Sequence, residues 1–131
     1  CSSDLDVRVA WVTNEDIGRC SAAAFAKPAA KGRRLRATGP EALTLPQVAE
    51  QMSRAIGREV KFRQISGDEY AEMLEPYLGS ETARMIGTSY DRMANEQNPL
   101  MVPDVSETEQ LLGVHFTSVY EWAKQRTWEV Q

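Results

Sequence analysis

Three short stretches of β-forming residues, 7–12 (VRVAWV), 33–38 (RRLRAT) and 59–64 (EVKFRQ), are separated by segments of helical period, and the chain beyond residue 65 reads as helix or loop. Val7, Val9 and Trp11 alternate with Arg8 and Ala10, and Val60 and Phe62 share one side of the third stretch. That period of two is what a pleated strand imposes. Sequential strands joined through helices run parallel. The order therefore predicts an α/β chain: a partial Rossmann-type fragment with a small parallel sheet of about three short strands, followed by a helical C-terminal region. Parallel sheets are ordinarily covered on both faces and built from more strands, so this one reads as incomplete. A chain of 131 residues is expected to form a single domain, with strand and helix alternating over 1–64 and mainly helix over 65–131.

The helix boundaries are written in short-range signals. Thr13-Asn14-Glu15-Asp16 and Thr44-Leu45-Pro46-Gln47 both have capping-box spacing. Ile17, Cys20, Ala24 and Phe25 recur at helical intervals after the first, up to Pro28; Val48, Ala49, Met52, Ala55 and Ile56 do so after the second, with Gly57 as a stop. Ser66-Gly67-Asp68-Glu69 opens a third helix with Tyr70, Met73, Leu74, Tyr77 and Leu78 on one face, which Pro76 is expected to end or bend. A fourth runs from Glu81 to about Ala94 and carries Ala83, Ile86, Tyr90 and Met93, before a proline-containing loop over 95–105. Ser106 is expected to cap a short helix ending at Gly113, and Thr117 or Ser118 to start a last one with Val119, Trp122 and Trp128 turned inward.

The composition, 42% hydrophobic and 26% charged, is that of a soluble globular protein, and 19 acidic against 15 basic side chains argue against a general binder of nucleic acid or anionic membrane. No apolar run is long enough to span a bilayer and no signal peptide is visible, so a cytoplasmic location is expected. Cys1, Cys20 and the single His115 supply neither a disulfide framework nor the ligand spacing of a zinc site. Cys20 falls on an apolar helix face, the setting of a buried, inert thiol. The chain begins with Cys1 rather than methionine, so it is expected to be a processed product or a piece of something longer.

Taken together, WVTNEDIGRCSAAAFAKP, then RRLRATGPEALTLPQVAEQMSRAIGREVKFRQIS, then DVSETEQLLGVHFTSVYEWA resemble the C-terminal half of NmrA-like proteins, an atypical branch of the short-chain dehydrogenase/reductase superfamily, over about residues 7–124. The most specific pieces are Asp16-Ile17-Gly18 after the first strand, the Thr38-Gly39 turn leading to Leu43-Thr44, Ala55-Ile56-Gly57-Arg58, and Leu111-Leu112-Gly113. In such proteins the N-terminal half binds a dinucleotide over a glycine-rich turn. None of the eight glycines here forms that fingerprint, so no cofactor-binding residue is expected in this chain, and NAD(P) is implied only for a longer protein. The resemblance implies the substrate lobe of an NAD(P)-binding reductase or redox-sensing regulator, not catalytically self-sufficient; the alternative is a stand-alone interaction or ligand-binding module derived from that lobe. It also implies that Val7 to Val12 pair in parallel with Val60 to Gln64, leaving Arg33 to Thr38 as an outer strand. An unpaired strand is a template, and this one is expected to engage a second copy or the absent N-terminal half.

Tyr70, Met73, Tyr77, Tyr90 and Met93 form aromatic and thioether stripes on consecutive helices. Their spacing suits core packing; the resemblance implies that they wall a substrate pocket, joined by Trp11, which in an intact enzyme faces the nicotinamide and accepts a small apolar ligand. Tyr120 and Lys124 have the Y-x-x-x-K spacing of a dehydrogenase pair, yet lie near the C-terminus rather than in the first half, where that pair belongs. Asp16 has a sufficient task in its helix cap, His115 has no sequence partner for catalysis, and Arg33, Arg34 and Arg36 read as a solvated edge that discourages aggregation. No catalytic residue and no metal ligand is assigned.

Overall fold

The computed structural model describes residues 7–95 and 104–128, the side chains of 93–95 excepted. Along them run α1 (Asn14–Ala26), a single 3-10 turn (Pro28–Ala30), α2 (Leu45–Ile56), α3 (Gly67–Leu78), α4 (Ser80–Asn95), α5 (Ser106–Leu112) and α6 (Val119–Lys124). The capping signals decide most of the starts. At α2 the Gln47 amide donates to Thr44 Oγ1 at 3.4 Å while the Thr44 amide donates to Gln47 Oε1 at 2.9 Å, and Gly57, at φ 75°, takes the left-handed conformation that ends the helix. At α6 the same reciprocal pair joins Ser118 and Glu121, at 3.2 and 2.9 Å. Ser66 caps α3 through the Glu69 amide at 3.1 Å.

Two ends depart from expectation. Ser106 is not a cap: Val105 precedes α5, and the Ser106 hydroxyl donates to Asp104 Oδ1 at 3.1 Å instead. Pro76 does not stop α3, which continues through it to Leu78.

The parallel sheet is not formed. Among the described residues no strand ladder exists, and the one isolated bridge is antiparallel, between Val9 and Leu43, with N–H to O distances of 3.0 and 3.1 Å. Residues 7–12 do not pair with 60–64, and 33–38 carries no ladder. The chain is an α-rich one in which 39–43 folds back along 9–10, the Gly39 amide donating to the Ala10 carbonyl at 3.2 Å. Alternating side chains mark backbone that suits a strand, but a strand exists only when a neighbour accepts its hydrogen bonds.

The buried cluster is Cys20, Val105, Leu112 and Phe116, the last 0% exposed, with Ala23, Ala24, Leu35 and Ala37 packed around it. It sits where α1, α5 and the extended 33–38 segment meet. Burial pushes the Cys20 thiol pKa up, in keeping with an unreactive cysteine. Phe25, expected on the same helix face, is 93% exposed. Helix α1 turns the arc holding Cys20, Ala23 and Ala24 to the cluster, and Phe25 falls outside it.

Candidate functional site

Helices α3 and α4 form a hairpin that packs chiefly upon itself. Its crossing is close because two glycines meet: a Cβ built on Gly87 falls on the Gly67 carbonyl oxygen, and one on Gly67 falls on the Gly87 carbonyl and the Asp91 carboxylate. Asp91 Oδ1 accepts from the Gly67 amide at 2.8 Å, so an α4 carboxylate satisfies a donor at the start of α3. Beyond the glycines, the Tyr70 and Tyr90 rings meet edge to face, centroids 4.9 Å apart. Burial, then the neighbouring Tyr70, pushes the Tyr90 hydroxyl pKa above its ordinary value. Met73 is 57% and Tyr77 83% exposed, so the stripe expected from their spacing is a solvent-facing apolar surface rather than core. The Met93 side chain lies outside the described residues.

Trp11 is not with them. It lines a cleft of about 430 Å³ bounded by residues 11–15, the α2 side chains Val48 and Met52, residues 117–119, and Trp122 and Arg126. Helices α2 and α6 pack together beside it. Lys124 Nζ lies 5.9 Å and the Arg54 guanidinium 5.7 Å from the Tyr120 ring centroid, so Tyr120 and Lys124 take part in cation–π packing between α2 and α6. Arg126 lies over the Trp122 ring at 4.9 Å and its Nη2 donates to Glu15 Oε1 at 2.9 Å. Trp128 meets Trp122 edge to face, and its indole N–H donates to the Ala123 carbonyl at 2.7 Å. A second cleft of about 440 Å³ opens on the far side of the Glu15–Arg126 pair, where His115 stands between Glu109, 3.5 Å away, and Glu121, 3.6 Å away.

Asp16 organises this end of the molecule. It is 2% exposed; one carboxylate oxygen accepts the Thr117 amide at 2.8 Å, the other the Thr117 hydroxyl at 3.1 Å and the Arg19 guanidinium. Burial is the largest single influence on its pKa and raises it. The Thr117 amide, Thr13, Arg19 and the Thr117 hydroxyl together outweigh it and hold the carboxyl below its ordinary value. The capping box expected at Thr13 is thus half formed: Thr13 Oγ1 accepts the Asp16 amide at 3.0 Å, but the Asp16 carboxylate turns to Thr117. Arg33 is solvent-exposed, its side chain 55% accessible, and pairs there with Glu107 at 2.7 Å. Val48 and Met52 were legible only as an apolar helix face; Glu15, Thr117 and Arg126 carry no local signal, since what makes them neighbours is contact across about a hundred residues.

A family model described as the NmrA-like family matches residues 2–129. The chain belongs to the NmrA-like family. This NmrA-like chain is 28% identical over 102 residues, 78% of its length, to a (4-alkanoyl-5-oxo-2,5-dihydrofuran-3-yl)methyl phosphate reductase of Streptomyces griseus, of which the match spans 36%. It is 29% identical over 66 residues, half of its length, to prestalk A differentiation protein A of Dictyostelium discoideum, of which the match spans 22%. Its fold resembles that of an NADPH-dependent quinone oxidoreductase from Escherichia coli, with a TM-score of 0.70 at 22% identity, over 94% of this chain and 44% of that one. The NmrA-like chain therefore spans less than half the length of each of these proteins. Among its described residues, no helix is long and apolar enough to cross a membrane.

Proposed function

We propose that this chain is the substrate-side lobe of an NAD(P)-dependent reductase, with the α3–α4 hairpin as a wall of the substrate pocket. One observation carries the reading: Met73, Tyr77 and Tyr90 stand exposed on a hairpin whose own packing is completed by Gly67, Gly87 and the Tyr70 ring edge. Adaptable thioether and aromatic surface of this kind suits an apolar acceptor with a polar tip, and the exposed Tyr77 supplies a hydroxyl donor for that tip. The names of the Streptomyces and Escherichia relatives, a reductase and an NADPH-dependent oxidoreductase, support the reaction class. The dinucleotide is held by glycine-rich residues beyond these 131, and the extended segment Arg33–Thr38 is where a further strand joins. In support, among the described residues no amide of 34–37 makes a main-chain bond.

The test is made on the natural gene product. It is expected to bind NADPH and to reduce a quinone, and Tyr77→Ala with Met73→Ala is expected to lower kcat/KM for that acceptor about tenfold while leaving NADPH affinity unchanged. Amides 34–37 are expected to exchange slowly there, as paired strands do. A gene product without nucleotide affinity defeats the reading. It favours instead a stand-alone ligand-binding module, for which the cleft beside α2 and α6 speaks, since all its walls lie in this chain.

A further inference from the structure

The cleft beside α2 and α6 is not used by the reductase reading, and no residue of the α3–α4 hairpin lines it. Its apolar side is formed by Trp11, Val48, Met52 and Trp122, and its polar end by the Glu15–Arg126 pair. At about 430 Å³ it falls within the range of small-molecule sites, about 300–1,000 Å³. A thioether and an indole are polarizable partners for a flat ring.

The polar end selects the sign of the ligand. Arginine offers five N–H donors in one plane, and Glu15 engages Arg126 through Nη2 alone. The guanidinium is held beside the aromatic wall by its contact with Trp122. Glu15 has a 63% exposed side chain, so water solvates it whether or not a second anion shares the guanidinium. A neutral ligand leaves the remaining guanidinium donors to water, whereas a carboxylate takes them in a charge-assisted contact. The geometry points to a site for a planar aromatic carboxylate, its ring against Met52 and Trp122 and its carboxylate on Arg126.

Naphthoate is the probe, added to the natural gene product carrying methyl-labelled methionine and indole-labelled tryptophan and followed by NMR. Saturable shifts are expected for the Met52 methyl and the Trp122 indole N–H, with Met73 and Met85 on the hairpin unmoved. Affinity is expected to fall about tenfold in Arg126→Gln, and equally when neutral naphthylmethanol replaces naphthoate, the loss of one charge-assisted contact. Met52→Trp, which fills the cleft, is expected to abolish the shift at Trp122. Arg126 is exposed, so Arg126→Gln keeps the test informative even if Met52→Trp does not fold. No saturable binding, shifts confined to Met73 and Met85, or equal affinity for naphthoate and its alcohol each overturn the assignment.

Discussion

Gly87→Ala is expected to destabilise the α3–α4 hairpin by about 2 kcal/mol, against the helix propensity of alanine. In an exposed helix the same change stabilises by about 1 kcal/mol, since glycine is the poorer helix former. At Gly87 the added Cβ meets the Gly67 carbonyl, a backbone atom that cannot swing aside as a flexible side chain would, so α3 and α4 must separate. Separation stretches the Gly67 to Asp91 hydrogen bond and opens the Tyr70–Tyr90 contact, both of which depend on the close crossing. Gly18→Ala is the control: nothing lies within 4 Å of its Cβ position, and stability there is expected to rise. Urea unfolding of both variants measures the difference. Equal and opposite signs are not required, but a stabilised Gly87→Ala protein would show that the glycine contact does not set the crossing.

Asp16→Ala is expected to cost about 2–3 kcal/mol, because it strands the Thr117 amide and hydroxyl that the carboxylate satisfies in a buried setting. Asp16→Asn, which keeps one acceptor oxygen, is expected to cost less. The two differ further with pH. The folded pKa of Asp16 is depressed, so the stability it confers is complete above the unfolded aspartate value of about 3.9 and is lost as pH falls from there through the folded value. Glu15 and Glu121 are also depressed, Glu15 chiefly by a backbone hydrogen bond and then by Arg126, Glu121 by the Ser118 backbone and hydroxyl, and they add to the same acid slope. The part due to Asp16 is what disappears in Asp16→Asn: its stability is expected to fall less steeply below pH of about 4. Parallel acid curves for the two proteins would remove Asp16 from this role.

The residues behind these effects were legible to different degrees. Thr44 with Gln47 and Ser118 with Glu121 announce their helices in the sequence, and both capping boxes are present. Cys20 was readable as buried from its helical interval. Asp16 was readable as structural, but its partner was not: the expected partner was its own helix, and the actual one is Thr117, 101 residues away along the chain. Of the residues that the family resemblance assigned to a pocket wall, Tyr70 and Tyr90 meet, Met73 and Tyr77 share their hairpin, and Trp11 lies in a different cleft. Spacing places a side chain on a helix face but carries no information about which face another element will cover.

Read alone, the amino acids of this chain establish where most helices start and stop, because a cap is a bond between residues three apart and needs nothing else. Family membership also rests on that ordered set of short pieces. Folding in three dimensions settles the rest: whether 7–12, 33–38 and 59–64 become strands, which face of α1 is buried, and which residues enclose the cleft at Arg126. These depend on partners distant in the chain. A strand is defined by its neighbour's hydrogen bonds and a pocket by walls from separate elements, so neither can be read from the spacing of residues within one segment.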